Sequence, residues 1–176
     1  TLLAGAAAAY VKRYGVRPGT RAVVFTNNDS AYATAIALRA ADVAIAAIVD
    51  ARPESQLIGT LPQRARALGL PIVAESAITG AHGGKRVEAV DIAPLAGGAA
   101  RRLDCDLVCV SGGWNPAVQL FSQARGTLRY DDALAAFVPE SSRLPIQPVG
   151  AANGRFGLAA ALSDGHAEGL AATGGT

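Results

Sequence analysis

The fold is decided by the stretch Arg21-Ala22-Val23-Val24-Phe25-Thr26-Asn27-Asn28-Asp29-Ser30, which continues through an alanine-rich segment to the apolar run Val43–Val49 and Asp50. Residues 21–25, which are apolar after Arg21, predict a buried strand, and the polar residues after them supply a turn and a helix N-cap. Residues 31–41 then predict a helix, and residues 43–49 a second buried strand. A strand, a helix and a strand ending in an acid form the outline of half a Rossmann fold.

The phosphate-binding glycines of such a unit are missing from this turn. Thr26, Asn28 and Ala31 stand where a dinucleotide fold has the pattern G-x-G-x-x-G, so the backbone is not free to approach a pyrophosphate. Asp29 would repel phosphate charge. Asp50 follows at about the 20-residue spacing of a ribose-binding acid. Without the glycines we interpret Asp50 as a strand-end or helix-cap acid, and its contact with a ligand stays an open alternative.

The flanking segments extend this unit into an α/β domain. Helices are predicted over residues 2–14 and 53–68, with strands over 70–74 and 107–110, the last preceded by a polar lead over 101–106. Alternating residues around Gly83-Gly84 predict an antiparallel hairpin over 77–92, with His82 as a solvated residue at its tip. The predicted fold class is therefore a Rossmann-like parallel sheet flanked by helices, with a small antiparallel hairpin.

A second glycine-bearing segment, Val149–Leu158, lies late in the chain. An apolar strand end, a turn with Gly150 and Gly154, and an alanine-rich helix would bring backbone N–H groups and a helix dipole to one place, where a pyrophosphate would bind. A buried Gly/Ala turn without a ligand is the alternative. Before it, residues 126–130 predict a short strand or turn, and 131–137 a short helix or loop. We place a domain boundary near Ser111.

Composition excludes several classes of protein. The chain is 51% hydrophobic but only 5% aromatic, and its formal charge of +2 gives no basic face for nucleic acid. No apolar run is long enough to predict a membrane span. Cys105 and Cys109 are interpreted as reduced core thiols of a cytoplasmic protein. His82 and His166 have no partners in any catalytic or metal-binding motif, so no catalytic or metal-ligating residue is predicted.

Two late segments resemble the flavoprotein disulfide reductases that have two dinucleotide domains. Asp106–Pro116 is similar to the crossover between those domains, with Asn115 and Pro116 in swapped order. Val149-Gly150-Ala151 is similar to their late x-G-D element, with Ala151 in place of the acid that holds flavin. The resemblance implies two domains: residues 1–110, a Rossmann-like inserted nucleotide domain with a degenerate glycine motif, and residues 111–176, the returning portion of an FAD/NAD(P)-binding domain.

A closer resemblance, covering nearly the whole chain, is to the middle of the alpha subunit of heterotetrameric sarcosine oxidase. It rests on five segments: Val24–Tyr32, Val49–Pro53, Val110–Pro116, Ala135–Pro139 and Val149–Gly154. It implies a multi-subunit oxidoreductase that demethylates sarcosine, with FAD, FMN and tetrahydrofolate largely outside this segment. It also implies an NAD in the alpha subunit, with Gly150, Ala151, Phe156 and Leu158 as cofactor-binding residues.

The resemblance implies partners as well. The chain begins with Thr1 and contains no Met, so we expect a piece of a longer or processed chain. Expected partners are the other subunits and the missing halves of the same subunit, including an N-terminal Gly-rich motif and a folate-binding half. The isolated chain is then expected to expose an apolar face and could dimerise. Two alternatives stay open: a subunit segment of another amine or opine dehydrogenase, and a binding module without a cofactor.

Overall fold

The structure is a computed structural model that describes residues 1–174, and these form two compact units. The first unit comprises Thr1–Gly113, and the second begins at Trp114. No helix within residues 1–174 is long and apolar enough to cross a bilayer.

The first unit is built on a five-stranded parallel sheet with the strand order β1-β8-β2-β3-β4. Its elements in chain order are β1 (Leu2–Leu3), α1 (Ala4–Tyr14), β2 (Arg21–Thr26), α2 (Ser30–Ala40), β3 (Ala44–Asp50), α3 (Thr60–Ala67), β4 (Ile72–Val73), β5 (Ser76–Gly83), β6 (Val87–Pro94), β7 (Arg101–Asp104) and β8 (Leu107–Ser111). The predicted class, α/β with a parallel sheet flanked by helices and an antiparallel hairpin, is confirmed.

The parallel sheet is covered differently on its two faces. The three helices cover one face, where Tyr32, Leu38 and Cys109 lie in a fully buried cluster. The antiparallel strands cover the other face, where Val23 and Val49 pack with Val90 in a second cluster. Because successive strand residues point to opposite faces, a continuous apolar run such as residues 22–25 supplies both clusters.

A bulge in β3 changes which of its residues face the helices. The register with β2 shifts between Ala22 and Val23, which pair with Ile45 and Ala47. One extra residue is inserted there, so Ile45 and Ile48 both belong to the helix-side cluster although they are three positions apart.

The predicted hairpin is part of a three-stranded antiparallel sheet, with order β5-β6-β7. The interpretation of residues 101–106 as a polar lead is therefore wrong, because Arg101–Asp104 pairs with β6. The strand was missed because it is a short edge strand whose charged side chains point outward, and only Leu103 packs on the core. Charged side chains on edge strands are common because they prevent pairing with other chains.

The helix predicted over residues 53–68 is divided. A single 3₁₀ turn covers Glu54–Gln56, and the α-helix begins at Thr60 after Gly59. Pro62 lies in the first turn of α3, where the backbone N–H that proline lacks has no partner in any case.

The second unit contains α4 (Gln119–Gln123), β9 (Thr127–Asp131), β10 (Ala136–Ser141) and α5 (Leu158–Thr173), with a 3₁₀ turn over Gly150–Asn153 before α5. The prediction of a short helix or loop over 131–137 agrees with the turn at residues 132–135, but Asp131 and residues 136–137 belong to the hairpin that pairs β9 with β10. Asp131 closes that hairpin by accepting the N–H groups of Ala133 and Leu134. The strand end predicted at Val149 is also absent: the residue is extended but unpaired, and it leads directly into the 3₁₀ turn.

Candidate nucleotide-binding sites

The carboxyl edge of the parallel sheet is the place where ligands bind in open α/β sheets. Thr26, at the end of β2, lies in register with Asp50 at the end of β3 and with Ser111 at the end of β8. The sheet thus brings Thr26 and Asp50, which the sequence compares with a nucleotide site, next to Ser111.

The turn between β2 and α2 is held by its own polar side chains. Asn28 donates from Nδ2 to the backbone oxygen of Ser111 at 3.2 Å and lies 3.1 Å from its hydroxyl. The side-chain oxygen of Asn28 accepts the N–H of Ser30 at 3.1 Å, while Thr26 Oγ1 accepts the N–H of Asn28. A glycine turn would leave these N–H groups free for phosphate, but two of them are used here within the chain.

Asp50 is fully buried and its carboxylate is occupied by the protein. Oδ2 accepts the phenol hydrogen of Tyr32 at 2.8 Å and Arg52 Nη2 at 2.8 Å. Oδ1 accepts the N–H of Arg52 at 2.9 Å and its Nε at 3.1 Å. Four donors fill the acceptor positions of a carboxylate, so no position is left for a ribose hydroxyl. The interpretation of Asp50 as a strand-end acid agrees with this geometry.

The surroundings of Tyr32 and Arg52 keep the phenol neutral and the guanidinium charged beside Asp50. Burial, and then the hydrogen bond to Asp50, raise the pKa of Tyr32, so its phenol stays protonated. The hydrogen bond to Asp50 also raises the pKa of Arg52 above its ordinary value. Arg52 is therefore a permanent cation beside a buried carboxylate.

Asp29 completes the cluster from the turn. Its Oδ1 accepts Arg52 Nη2 at 2.8 Å, so the acid that would repel phosphate is paired with a cation of its own chain. Gly59 allows this placement, because a Cβ there would lie 2.0 Å from Asp29 Oδ2. The residues at this edge therefore do not fit a dinucleotide bound in the conventional way. The sequence analysis did not identify Arg52 as the partner of these two acids. Its position two residues after Asp50 was a signal that could have indicated this pairing.

The late glycine segment forms a compact turn against α5. Gly150 is buried with φ +57°, and a Cβ there would lie 3.3 Å from the Cβ of Ala161. Ala151 O accepts the N–H of Gly154 at 3.3 Å. Glycine at 150 is thus required by the packing of the turn on α5 as well as by its backbone conformation.

Asp164 and Arg155, which sequence reasoning did not single out, hold this turn. Asp164 Oδ2 accepts the N–H of Gly150 at 2.8 Å, and Arg155 Nε lies 3.1 Å from Asp164 Oδ1. The spacing of fourteen residues between Gly150 and Asp164 gave no local signal for this contact. One backbone donor that the sequence analysis assigned to a ligand is therefore used by an internal carboxylate.

Unlike the turn at Gly150, the beginning of α5 has no side chain hydrogen-bonded to it as a cap. Its N-cap is Gly157. Leu158, the first helical residue, is 77% exposed, and Phe156 is 38% exposed. The geometry fits a ligand that takes hydrogen bonds from the first turn of α5 and packs on these two apolar side chains. Gly150 and Ala151 then shape the turn beside it.

The histidines and cysteines form no reactive group. The prediction that His82 lies at the hairpin tip is wrong, because the residue lies within β5. Its Nε2 is 2.5 Å from Asp91 Oδ2. His166 is an exposed residue inside α5. Cys105 and Cys109 are free and buried, as predicted. Within residues 1–174 no group of three His, Cys, Asp or Glu side chains is arranged to hold a metal ion.

Comparison with solved structures shows the fold. Thioredoxin reductase of T. acidophilum superposes with a TM-score of 0.73 at 19% identity, over 93% of this chain and 53% of that chain. No protein-family model matches the sequence.

Comparison with curated sequences gives closer relatives. Sarcosine oxidase subunit alpha of Corynebacterium sp. (strain P-1) is 37% identical over 97% of this chain, and the subunit of Rhizobium meliloti (strain 1021) is 34% identical over 94%. The chain spans 18% and 16% of the lengths of these two subunits. Because proteins of one name match nearly the whole chain at this identity, the chain is similar, over nearly its full length, to one segment of the sarcosine oxidase alpha subunits.

Proposed function

We propose that the chain acts as a segment of a sarcosine-oxidase-like alpha subunit, where it supports NAD binding and subunit assembly in the oxidative demethylation of sarcosine. The observation that carries this proposal is the 37% identity to a sarcosine oxidase alpha subunit across 97% of the chain. FAD, FMN and tetrahydrofolate would serve the parent complex largely outside this segment. Residues 1–110 would be the inserted nucleotide domain with a degenerate glycine motif, and residues 111–176 the returning part of an FAD/NAD(P)-binding domain.

Within this proposal NAD contacts the second unit. The edge of the parallel sheet in the first unit is filled by the ion pairs of Arg52, whereas the first turn of α5 has no capping side chain. Phe156 and Leu158 would pack on the ligand, and Gly150 and Ala151 would form the turn beside it. Since this segment supplies few polar contacts, an upstream glycine-rich motif would complete the site.

Calorimetric titration of NAD tests the proposal. The titration is made with this chain and with a longer polypeptide that includes an upstream glycine-rich strand-turn-helix motif. We expect binding in the longer polypeptide, and we expect Phe156→Asp to abolish it because a carboxylate would face the phosphates. Phe137→Asp, an exposed position on β10, is the matched control and should leave the affinity unchanged. Failure of the longer polypeptide to bind NAD would overturn this part of the proposal.

The assembly role rests on the exposed face of α5. None of its sixteen residues is buried, and Leu158, Leu162 and Leu170 recur at helical spacing along one side. We assign this stripe to another segment of the same subunit, because the chain spans less than one fifth of its curated relatives. The other subunits of the complex are the proposed partners beyond it.

Thiol labelling tests this assignment. Cys105 and Cys109 are buried, so a single Leu162→Cys change reports on α5 alone. We expect rapid labelling in this chain and at least about tenfold slower labelling in a polypeptide of the relatives' full length. As the control, both proteins are labelled after unfolding, and the introduced thiol should then react at the same rate in each. Equally fast labelling of the two folded proteins would show that the stripe is not covered within the subunit.

Sarcosine is favoured over other amines because the curated relatives carry that name. Turnover of sarcosine, opines and hydroxyproline by the complete complex would separate this function from that of another amine or opine dehydrogenase. The two free, buried cysteines support a cytoplasmic location, where thiols stay reduced.

A further inference from the structure

A cavity of about 900 Å³ opens in the first unit, away from the carboxyl edge of the parallel sheet. Two segments form most of its walls. Residues 17–20 precede β2, and residues 83–86 comprise the last residue of β5 and the turn that connects it to β6. It lies by the amino ends of β2 and β8, since Thr20 and Asp106 immediately precede these strands. Its volume is in the range of small-molecule sites.

The charge of this cavity is strongly one-sided. Arg17, Lys85 and Arg86 line it, all three are exposed, and none forms an ion pair with any residue of the described range 1–174. Asp106 is the one lining carboxylate within the same range. Three side-chain cations against one carboxylate leave an excess of two positive side-chain charges at the walls.

Asp106 is already engaged by the protein. Its Oδ1 accepts the N–H of Arg21 at 2.7 Å, and its Oδ2 accepts the hydroxyl of Thr20 at 2.7 Å. The N–H of Thr20 is shared by both oxygens, at 2.9 and 2.8 Å. Asp106 thus holds the loop before β2 in place and is not a free partner for the lysine or the arginines.

The turn over residues 83–86 brings open backbone to the same cavity. Gly83 has φ +136°, and a Cβ there would lie 2.0 Å from the backbone oxygen of Arg86, so the turn requires glycine. Gly84 is exposed, and apart from its chain neighbours no atom lies within 4 Å of the position that a Cβ would take. Adjacent glycine backbone and cationic side chains are the groups that bind phosphate oxygens in proteins.

His82 gives the cavity one ordered wall. Its Nε2 lies 2.5 Å from Asp91 Oδ2 and 3.0 Å from Arg102 Nη2, and Arg102 Nε donates to Asp91 Oδ1 at 3.1 Å. Three neighbouring strands supply these side chains, so the ring is fixed from the sheet side while it lines the cavity. A cavity with one fixed wall and three unpaired cations is suited to an anion of defined size.

We propose that this cavity binds a small phosphate-bearing anion, held by Arg17, Lys85 and Arg86 and by the backbone at Gly84. A phosphate dianion matches the two excess positive charges. The site is in the first unit and is separate from the proposed NAD contacts of Gly150 and Phe156, so it extends the function beyond NAD support.

The test is a calorimetric titration of the chain with inorganic pyrophosphate, with citrate as a polyanion of different chemistry. We expect pyrophosphate to bind and the double change Lys85→Gln and Arg86→Gln to raise its Kd by at least about tenfold. The matched control, Arg125→Gln with Arg143→Gln, removes the same charge from exposed positions of the second unit and should change Kd by less than about twofold. NMR should show the amide resonances of Gly84 and Lys85 shifting during the titration.

Four results would overturn the proposal: no pyrophosphate binding, equal weakening by the two double changes, equally tight citrate binding, and NMR shifts that leave residues 83–86 unaffected. Thr1 also lines the cavity, so the titration is repeated with a chain whose Thr1 amino group alone is acetylated. Retained affinity supports the site, and lost affinity would assign the anion to the chain-terminal amine. The NAD titrations and the Phe156→Asp change report on the second unit, so the two proposals fail independently.

Discussion

Tyr32 donates its phenolic hydrogen to the carboxylate of Asp50 across 2.8 Å, and both side chains are fully buried. The bond joins the first turn of α2 to the end of β3, the two places where a Rossmann unit contacts its nucleotide. Here the same two places contact each other through Tyr32, Asp50 and Arg52. The first unit therefore keeps the architecture of a nucleotide domain while its own side chains stabilise the edge.

Removing this hydroxyl should destabilise the first unit. Tyr32→Phe leaves Asp50 Oδ2 with Arg52 as its one remaining partner, and we expect a loss of about 1–3 kcal/mol in the free energy of unfolding. Urea denaturation followed by circular dichroism measures it. Tyr14→Phe removes an exposed hydroxyl of α1 and is the control. Equal midpoints for the two variants would show that the buried bond contributes nothing.

Gly59 should be coupled to the ion pair of Asp29 and Arg52. In Gly59→Ala the new Cβ would meet Asp29 Oδ2, so Asp29 has to leave Arg52. We expect a loss of about 0.5–1 kcal/mol, because the pair is partly exposed. Gly59→Ala made on an Asp29→Ala background should cost almost nothing, because the clash and the ion pair are both absent there. Additive losses in the double-mutant cycle would contradict this coupling.

The buried strands and the hairpin of β5 and β6 were predictable from the sequence, whereas β7 and β10 were not. Residues 22–25 and 43–49 are continuous apolar runs because both faces of the parallel sheet are covered. Arg101–Asp104 and Ala136–Ser141 lack that signal, since the first is a charged edge strand and the second contains Pro139 and pairs with a single neighbour. Their strand character depends on partners that local composition does not reveal.

The candidate sites were likewise predictable only in part: the sequence indicates the turns but not the side chains that contact them. The missing glycines at Thr26, Asn28 and Ala31 predict no conventional phosphate site at the first turn, and two N–H groups of that turn are bonded within the chain. The partners of Asp50 and Gly150 depend on tertiary contacts: Tyr32 is eighteen residues from Asp50, and Asp164 is fourteen from Gly150. Sequence spacing alone therefore identified the positions of the turns but not the side chains that occupy them.

Because of Cys109, the free energy of unfolding should fall as the pH rises in the alkaline range. Burial raises the pKa of its thiol to about 12, whereas an unfolded thiol ionises near about 8.5. Ionisation in the unfolded chain alone favours unfolding, so this contribution is intact below about pH 8.5 and is lost as the pH rises toward 12. The slope approaches about 1.4 kcal/mol per pH unit.

Cys109→Ala removes this contribution while all other titrating groups stay. Chemical denaturation of both proteins between pH 7 and pH 10 should therefore give a stability difference that shrinks as the pH rises. Ellman's reagent should react with Cys109 only after unfolding. A pH-independent difference, together with fast labelling of the native thiol, would mean that the side chain is accessible.

Asp164 should control the order of the late turn. Asp164→Ala removes the acceptor of the Gly150 N–H and the partner of Arg155, so the 3₁₀ turn loses its contact with the middle of α5. We expect hydrogen exchange at the Gly150 amide to accelerate by about tenfold, the equivalent of about 1.4 kcal/mol. Glu168→Ala, one turn further along α5, is the control and should leave that amide unchanged. If both variants exchange at the rate of the unaltered chain, the turn is fixed by the packing of Gly150 against Ala161 alone. If Asp164→Ala accelerates exchange and also weakens NAD binding by the longer polypeptide, the carboxylate positions the turn for its ligand.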